Sequence, residues 1–171
     1  MFLISLIFAG ILTATAAQEA PVQQTPVEVF QVLDLPVTIT ETVLVKTKDG
    51  YLLKCSLTNN SEFPLIGLRY SLVVADSMNT TNTVAVRDEA LKLAGSQTKT
   101  ITFKTPIKLK LKTGERLVLM LDEVGSVDYT WRVIKAKEAL GAYINGDYSV
   151  APRVVRMSNQ VDTRPGVSVI Y

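Results

Sequence analysis

In the stretch "LLKCSLTNNSEFPLIGLRYSLVVAD", residues 52–76, two runs of alternating apolar residues flank the polar segment NNSE. In the first run Leu53, Cys55 and Leu57 share one face at a period of two, and most residues between them are polar. In the second run the same spacing places on one face Ile66, Leu68, Tyr70, Leu72 and Val74. This alternation predicts two half-buried β-strands joined by a turn.

Cys55 is the only cysteine of the chain, and it lies on the apolar face of the first of these strands. A buried free cysteine behaves as a small hydrophobic residue, and no base beside it in the sequence would lower its pKa. A single cysteine also cannot form an internal disulfide. We therefore predict that Cys55 is a core residue and not a reactive thiol.

Similar runs continue on both sides of this stretch. Residues 37–46 and 51–58 flank Asp49-Gly50, a dipeptide that favours a hairpin turn. Further strands are predicted at residues 98–104, 107–112, 115–124 and 127–136.

Two segments have a helical pattern. Residues 87–93, "RDEALKL", predict one or two helical turns stopped by Gly95, and residues 137–143, "KEALGAY", predict a short helix ended near Asn145-Gly146. The chain therefore has about seven strands and no long helix, which predicts an all-β, immunoglobulin-like antiparallel β-sandwich.

The chain outside the sandwich, which we assign to residues 27–146, divides into three parts. Residues 1–17, "MFLISLIFAGILTATAA", combine an apolar run with small residues and predict a cleaved signal peptide. Residues 18–26 read as a flexible spacer and residues 147–171 as an extended C-terminal tail. The protein is therefore expected to be exported, to the periplasm, the cell envelope or the medium. If the apolar segment is retained, the chain is instead a membrane-anchored accessory subunit, although the run is shorter than the ~20 residues of a spanning helix.

The amino-acid composition limits the classes of function that the chain can have. The 171 residues are 47% hydrophobic and 20% charged, which is typical of one globular domain. A net charge of +2, from 18 basic and 16 acidic residues, does not favour a nucleic-acid partner. The sequence has no histidine, which excludes Ser-His-Asp and Cys-His catalysis, and one cysteine cannot supply a structural zinc site. We expect no enzyme activity, no cofactor and no metal.

Acidic pairs at Asp88-Glu89 and Asp122-Glu123, with Asp128 nearby, are the residues from which acid-base chemistry or a calcium site would be built. Neither pair has a calcium-loop spacing, and adjacent residues of a strand point to opposite faces. We expect these carboxylates to be solvated and dispersed. The rival hypothesis, a carbohydrate-binding or hydrolytic protein, requires carboxylates from different loops to converge in one cleft.

Two other segments are candidate partner contacts. In "IKLKLK" the residues Lys108, Lys110 and Lys112 share one strand face over about 13 Å. Such a stripe would suit an anionic polymer or a membrane surface, although lysines also protect sheets from edge-to-edge aggregation. Near the C-terminus the residues Val167, Val169 and Tyr171 alternate, as in a segment that adds a strand to its own sheet or a partner's.

Residues 51–104 resemble the FxLYD-type domain, an immunoglobulin-like sandwich of exported prokaryotic proteins. The similarity rests on "TNNSEFPLIGL", on the strand that ends at Asp76, and on "LAGSQTKTITF". In the motif that names the family, Leu72, Val74 and Ala75 replace the aromatic, leucine and tyrosine residues, and Asp76 is retained. The resemblance covers about a third of the chain, and it implies a non-catalytic appendage or binding module with no catalytic residue.

The sequence as a whole predicts an exported structural or protein-interaction module, a subunit of a cell-envelope assembly, whose partner is another protein of the same compartment. Two Asn-x-Ser/Thr sequons, at Asn59 and Asn79, would carry glycans only in a eukaryotic secretory pathway.

Overall fold

Ten strands and one helix follow one another in the computed structural model, which describes residues 23–160. In chain order they are β1 (Gln24–Pro26), β2 (Glu28–Phe30), β3 (Val37–Thr47), β4 (Gly50–Asn59), β5 (Leu65–Ala75), β6 (Thr81–Leu93), β7 (Thr98–Thr102), β8 (Arg116–Ser126), β9 (Tyr129–Ile134), α1 (Ala136–Ile144) and β10 (Arg153–Ser158).

The strands form two sheets that pack face to face. One sheet has the order β1-β3-β4-β7, and the other has the order β10-β9-β8-β5-β6, with β2 added in parallel to β8. All other pairings are antiparallel. The chain passes between sheets after β1, β2, β4, β6 and β7, and the crossings after β4, β6 and β7 give a Greek-key arrangement. The predicted immunoglobulin-like β-sandwich is confirmed.

The core lies between the sheets and follows the alternation of the sequence. Leu53, Cys55 and Leu57 of β4 are fully buried and belong to one apolar cluster with residues of the other sheet. Tyr70 of β5 stacks on Phe103, with ring centroids 5.5 Å apart. The β3–β4 hairpin is also confirmed, with Thr47 paired to Gly50.

One residue of the predicted β5 face is placed incorrectly by a strict period of two. Leu65 and Gly67 pair normally, but the register shifts between them, so Ile66 is left outside the pairing. Ile66 is consequently 49% exposed, whereas Leu68, Tyr70 and the rest of the predicted face are buried. A β-bulge moves every residue on one side of it to the opposite face.

Two element predictions are wrong. The segment 87–93 is not helical, because it forms the second half of β6, which pairs with β5 along most of its length. The segment 107–112 is not a strand, because only Ile107 pairs, with Tyr51. Tyr51 stands next to the first residue of β4, so no neighbouring backbone remains for the lysine-bearing residues that follow.

The sandwich extends beyond residues 27–146 at both ends. Residues 24–26, predicted as spacer, form β1 and pair with β3, and residues 153–158, predicted as tail, form β10 and pair with β9. The predicted signal, residues 1–17, lies outside the described residues. Within residues 23–160 no helix has both the length and the apolar character to cross a membrane.

Helix α1 is the predicted short helix, lengthened by one residue at each end. It lies over the outer face of the six-stranded sheet, where Leu140 lines a small cleft with Val73 and Met120. Leu140 and Ile144 are buried there. The helix covers one end of this face and leaves the other end open.

Candidate functional site

Cys55 does not form a site. It is fully buried, and this burial raises the pKa of its thiol to about 12. Since the thiolate is the nucleophile and metal ligand, a thiol in this environment is inert near neutral pH.

The burial of Cys55 predicts its reactivity. At pH 8 the folded protein should react with Ellman's reagent more than about 1000-fold more slowly than the protein in guanidinium chloride, because the thiolate fraction falls by that factor. Comparing the two absorbance time courses checks this. Equal rates in the folded and unfolded protein would place the thiol at the surface.

Lys108, Lys110 and Lys112 are all exposed, as the alternation predicts. They line a surface cleft of about 300 Å³ together with Asp76 and Glu115. The carboxylate of Glu115 accepts a hydrogen bond from the backbone N–H of Lys112 at 2.7 Å. These carboxylates weaken the attraction of the stripe for anions.

The C-terminal candidate contacts Val167, Val169 and Tyr171 lie outside the described residues.

The acidic pairs are not dispersed as predicted. Asp88 of β6 and Glu123 of β8 line one cleft of about 400 Å³ on the open outer face of the six-stranded sheet. The cleft exists because Gly67 and Gly125 pair across β5 and β8 and place no side chain there. We call this the outer-face cleft. Asp88 and Glu123 both pair with Arg69 of β5, and directly paired residues of neighbouring strands share a face, which is how two distant acidic pairs meet.

Both of these carboxylates are already bound by arginine. Arg69 donates to Asp88 in a bidentate pair, at 2.7 and 3.1 Å, and this contact lowers the pKa of Asp88. Arg132 donates to Glu123 at 2.7 Å. A ligand in the outer-face cleft would therefore compete with existing ion pairs.

Glu89 also lines the outer-face cleft, whereas Asp122 and Asp128 do not. Asp122 accepts a hydrogen bond from the Ser71 hydroxyl at 2.6 Å, and its partial burial raises the pKa of its carboxyl. Within residues 23–160 no three His, Cys, Asp or Glu side chains are close enough together to hold a metal ion.

A further surface cleft was not predicted from the sequence. It has a volume of about 280 Å³ and lies between the end of β2, the loop before β3, the C-terminal half of α1 and residues 147–152. We call it the aromatic groove. Its lining includes Phe30, Leu33, Tyr143, Tyr148 and Val150.

Three aromatic rings pack in sequence along the groove. The ring centroids of Phe30 and Tyr143 are 4.7 Å apart, and those of Tyr143 and Tyr148 are 5.9 Å apart with nearly perpendicular planes. Leu33 and Tyr148 nevertheless remain 91% and 77% exposed. The groove is therefore an apolar surface with a packed floor and an open side.

The floor of the groove is held by a polar network beneath it. The Tyr143 hydroxyl donates to Glu28 Oε1 at 2.6 Å, and Arg116 binds the other oxygen of Glu28 at 3.1 Å. Arg116 also donates to the carbonyl of Ile144 at 2.8 Å. Strands β2 and β8 thereby fix the end of α1, and the hydrogen bond to Glu28 raises the pKa of Tyr143 to about 12.

This network predicts a pH dependence. Because the pKa of Tyr143 is higher in the folded protein than its ordinary value of 10, its stabilising contribution is complete below about pH 10 and is lost as the pH rises towards 12. The difference in unfolding free energy between the wild type and Tyr143→Phe should therefore shrink over this range. Urea titrations at pH 8, 10.5 and 11.5 measure it. A difference that does not change with pH would contradict the proposed role of the hydroxyl.

No family model, no curated protein and no solved structure matches this chain. The assignment of a site therefore depends on the geometry alone. Among the clefts on residues 23–160, the aromatic groove has the most apolar and aromatic lining side chains, and the charged residues that line it are Asp34 and Asp147.

Proposed function

We propose that this protein is an exported, non-catalytic interaction module that binds a partner protein through the aromatic groove. The observation that carries the proposal is the exposure of Leu33 and Tyr148 beside the packed rings of Phe30 and Tyr143. Apolar surface left in water forgoes about 25 cal/mol per Å², and contiguous apolar patches mark interaction sites. Aromatic residues are also enriched where proteins bind each other most strongly.

The support beneath the groove favours recognition. Binding costs less free energy when the surface is ordered before the partner arrives. Here Glu28 joins the Tyr143 hydroxyl to the Arg116 guanidinium, and Arg116 in turn reaches the last residue of the helix. The ring of Tyr143 is therefore held in place by contacts that a partner does not need to supply.

Export and membership of an envelope assembly are part of the same proposal. They are supported by the signal-like pattern of residues 1–17 and by the resemblance to the FxLYD-type domain. A retained apolar segment would make the protein a membrane-anchored accessory subunit and would leave the groove free to bind. N-terminal sequencing of the mature protein separates the two forms.

The test is site-specific photo-crosslinking in cells that express the protein naturally. A photoreactive amino acid replaces Tyr148 in one variant and Met78 in the other, because Met78 is also exposed but does not line the groove. We expect one stoichiometric protein adduct from position 148 and none from position 78. Equal adducts from both positions, or none from position 148, would overturn the proposal.

A carbohydrate-binding or hydrolytic function in the outer-face cleft is the second candidate. The observation that favours it is that Asp88 and Glu123 line one cleft, although they come from strands β6 and β8 and not from the loops that this hypothesis required. It predicts saturable binding of cellohexaose, maltohexaose or chitohexaose that Glu123→Gln weakens and the exposed control Glu62→Gln does not. Calorimetry with these three sugars tests it, and the absence of binding would count against this function.

A further inference from the structure

We infer that the aromatic groove takes the basic side chain, arginine or lysine, of a partner protein. This inference rests on the proposed function and adds the chemistry of the group that is recognised. It combines three observations on the groove: its charge, the arrangement of its rings and its size.

The charge of the groove is negative. Its lining contains two carboxylates, Asp34 and Asp147, and no lysine or arginine. Neither carboxylate belongs to an ion pair within residues 23–160. Hydrogen bonds from Ser149 lower the pKa of Asp147, so this residue is ionised at neutral pH.

The carboxylate behind the groove is already paired, because Glu28 behind Tyr143 binds Arg116 at 3.1 Å. The charged side chains that line the groove itself are those of Asp34 and Asp147, and both are negative. An acidic partner would be repelled, and a purely apolar anchor would strip water from two carboxylates without replacing it.

The rings add a second attraction for a cation. Aromatic faces carry negative potential and attract ammonium and guanidinium groups within about 6 Å. Tyr143 stands between Phe30 and Tyr148, and the nearly perpendicular Tyr148 forms a side wall. The same protein already uses this contact elsewhere, where the guanidinium of Arg156 lies 4.8 Å from the centre of the Tyr129 ring.

The size of the groove limits the ligand to about one side chain. Its volume of about 280 Å³ falls at the lower end of small-molecule pockets, which span about 300–1,000 Å³. Exposed Leu33 and Tyr148 at the rim remain available to apolar residues that flank the basic side chain. The expected motif on the partner is a single arginine or lysine between apolar neighbours.

The test uses the full-length protein and small-molecule probes. N-acetyl-arginine amide and N-acetyl-citrulline amide have nearly the same shape, but only the first is charged. We expect arginine to shift the amide NMR signals of residues 30–34 and 147–151 in a saturable way, and citrulline to bind about tenfold more weakly. N-acetyl-lysine amide should behave as arginine does.

Matched variants identify the source of the preference. The double variant Asp34→Asn and Asp147→Asn removes both charges, and an asparagine at 147 keeps the oxygen that accepts from the Ser149 N–H. It should weaken arginine binding about tenfold, whereas Asp49→Asn, an exposed acidic residue in the β3–β4 turn, should change nothing. Equal binding of arginine and citrulline, or no effect of the double variant, would overturn the inference.

The proposed function as an interaction module and the proposed basic side chain on the partner can be rejected independently of each other. A crosslink from position 148 together with charge-independent binding supports a partner protein and rejects the basic anchor. Charge-dependent binding of arginine amide without any protein crosslink supports a site for small organic cations and rejects the interaction module. A crosslinked product between two copies of this chain would identify the occupant as a second copy, and the basic anchor would then have to lie on that copy.

Discussion

Asn59→Ala is expected to lower the free energy of unfolding by about 3–4 kcal/mol. Asn59 is 0% exposed, and its side-chain amide donates to the carbonyls of Phe63 and Ala94 at 2.8 and 2.9 Å. Its oxygen accepts from the N–H and the hydroxyl of Ser61 at 2.9 and 2.8 Å. Alanine would remove these four hydrogen bonds from a fully buried position, and each contributes about 0.5–1.5 kcal/mol.

The neighbouring Asn60 supplies the control for this prediction. Asn60 is exposed and its side chain donates only to the Thr38 hydroxyl at 2.8 Å, so Asn60→Ala, which keeps the backbone N–H, should cost about 1 kcal/mol or less. Urea unfolding of the three proteins measures both effects. Equal losses of unfolding free energy for the two variants would show that Asn59 does not connect the β4–β5 loop to the β6–β7 loop. The burial of Asn59 also means that its sequon is inaccessible in the folded protein.

Gly95→Ala is expected to cost about 2–3 kcal/mol. A Cβ atom at this position would lie 2.5 Å from the carbonyl oxygen of Glu62 and 2.8 Å from its carbon. These are backbone atoms of the β4–β5 loop, which the Ser96 N–H also binds through the carbonyl of Ser61 at 3.1 Å. The loop cannot move away without breaking contacts that join the two sheets.

The control for Gly95→Ala is the same substitution in α1, Gly141→Ala. A Cβ atom there would meet nothing within 4 Å, and alanine is a better helix former than glycine. We expect Gly141→Ala to stabilise the protein by about 0.5–1 kcal/mol. Thermal unfolding of both variants checks the opposite signs. A neutral Gly95→Ala would mean that the two loops are not held as closely as their hydrogen bonds indicate.

The core strands could be predicted because each buries one face. Leu53, Cys55 and Leu57 are buried and alternate with more polar neighbours, because only one face of the strand lies against the core. Strands β3, β4, β8 and β9 were therefore found close to their observed bounds. The predicted number of strands agrees with the seven long or central strands only because two errors cancel: β6 was missed and residues 107–112 were counted.

Irregular strand pairing explains why the sequence analysis assigns β6 and residues 107–112 incorrectly. β6 alternates poorly because its register against β5 shifts near Ala85, and it carries Arg87 and Glu89 on the side that faces the core at the edge of the sheet. Residues 107–112 alternate well, but they have no neighbouring strand beyond Ile107. A hydrophobic pattern reports which residues are buried, and it does not report whether backbone hydrogen bonds are available.

The aromatic groove could not be predicted for a different reason. Its rings come from three segments: Phe30 ends β2, Tyr143 lies in α1, and Tyr148 follows the helix. Tyr148 lies in residues 147–171, which the sequence predicts as an extended tail. Only the parallel pairing of β2 with β8 brings Phe30 to the end of the helix.

The most direct test of binding through the aromatic groove uses the partner protein that photo-crosslinking identifies, purified in its free form. Its affinity is measured for three proteins: the wild type, Tyr148→Ala and Met78→Ala. A tyrosine that a partner buries contributes about 2 kcal/mol to binding, so Tyr148→Ala should weaken binding about thirtyfold while Met78→Ala stays within about twofold of the wild type. Unfolding curves of the three proteins should coincide, because both side chains are exposed. Equal affinities for the wild type and Tyr148→Ala would contradict the assignment of the aromatic groove as the binding site.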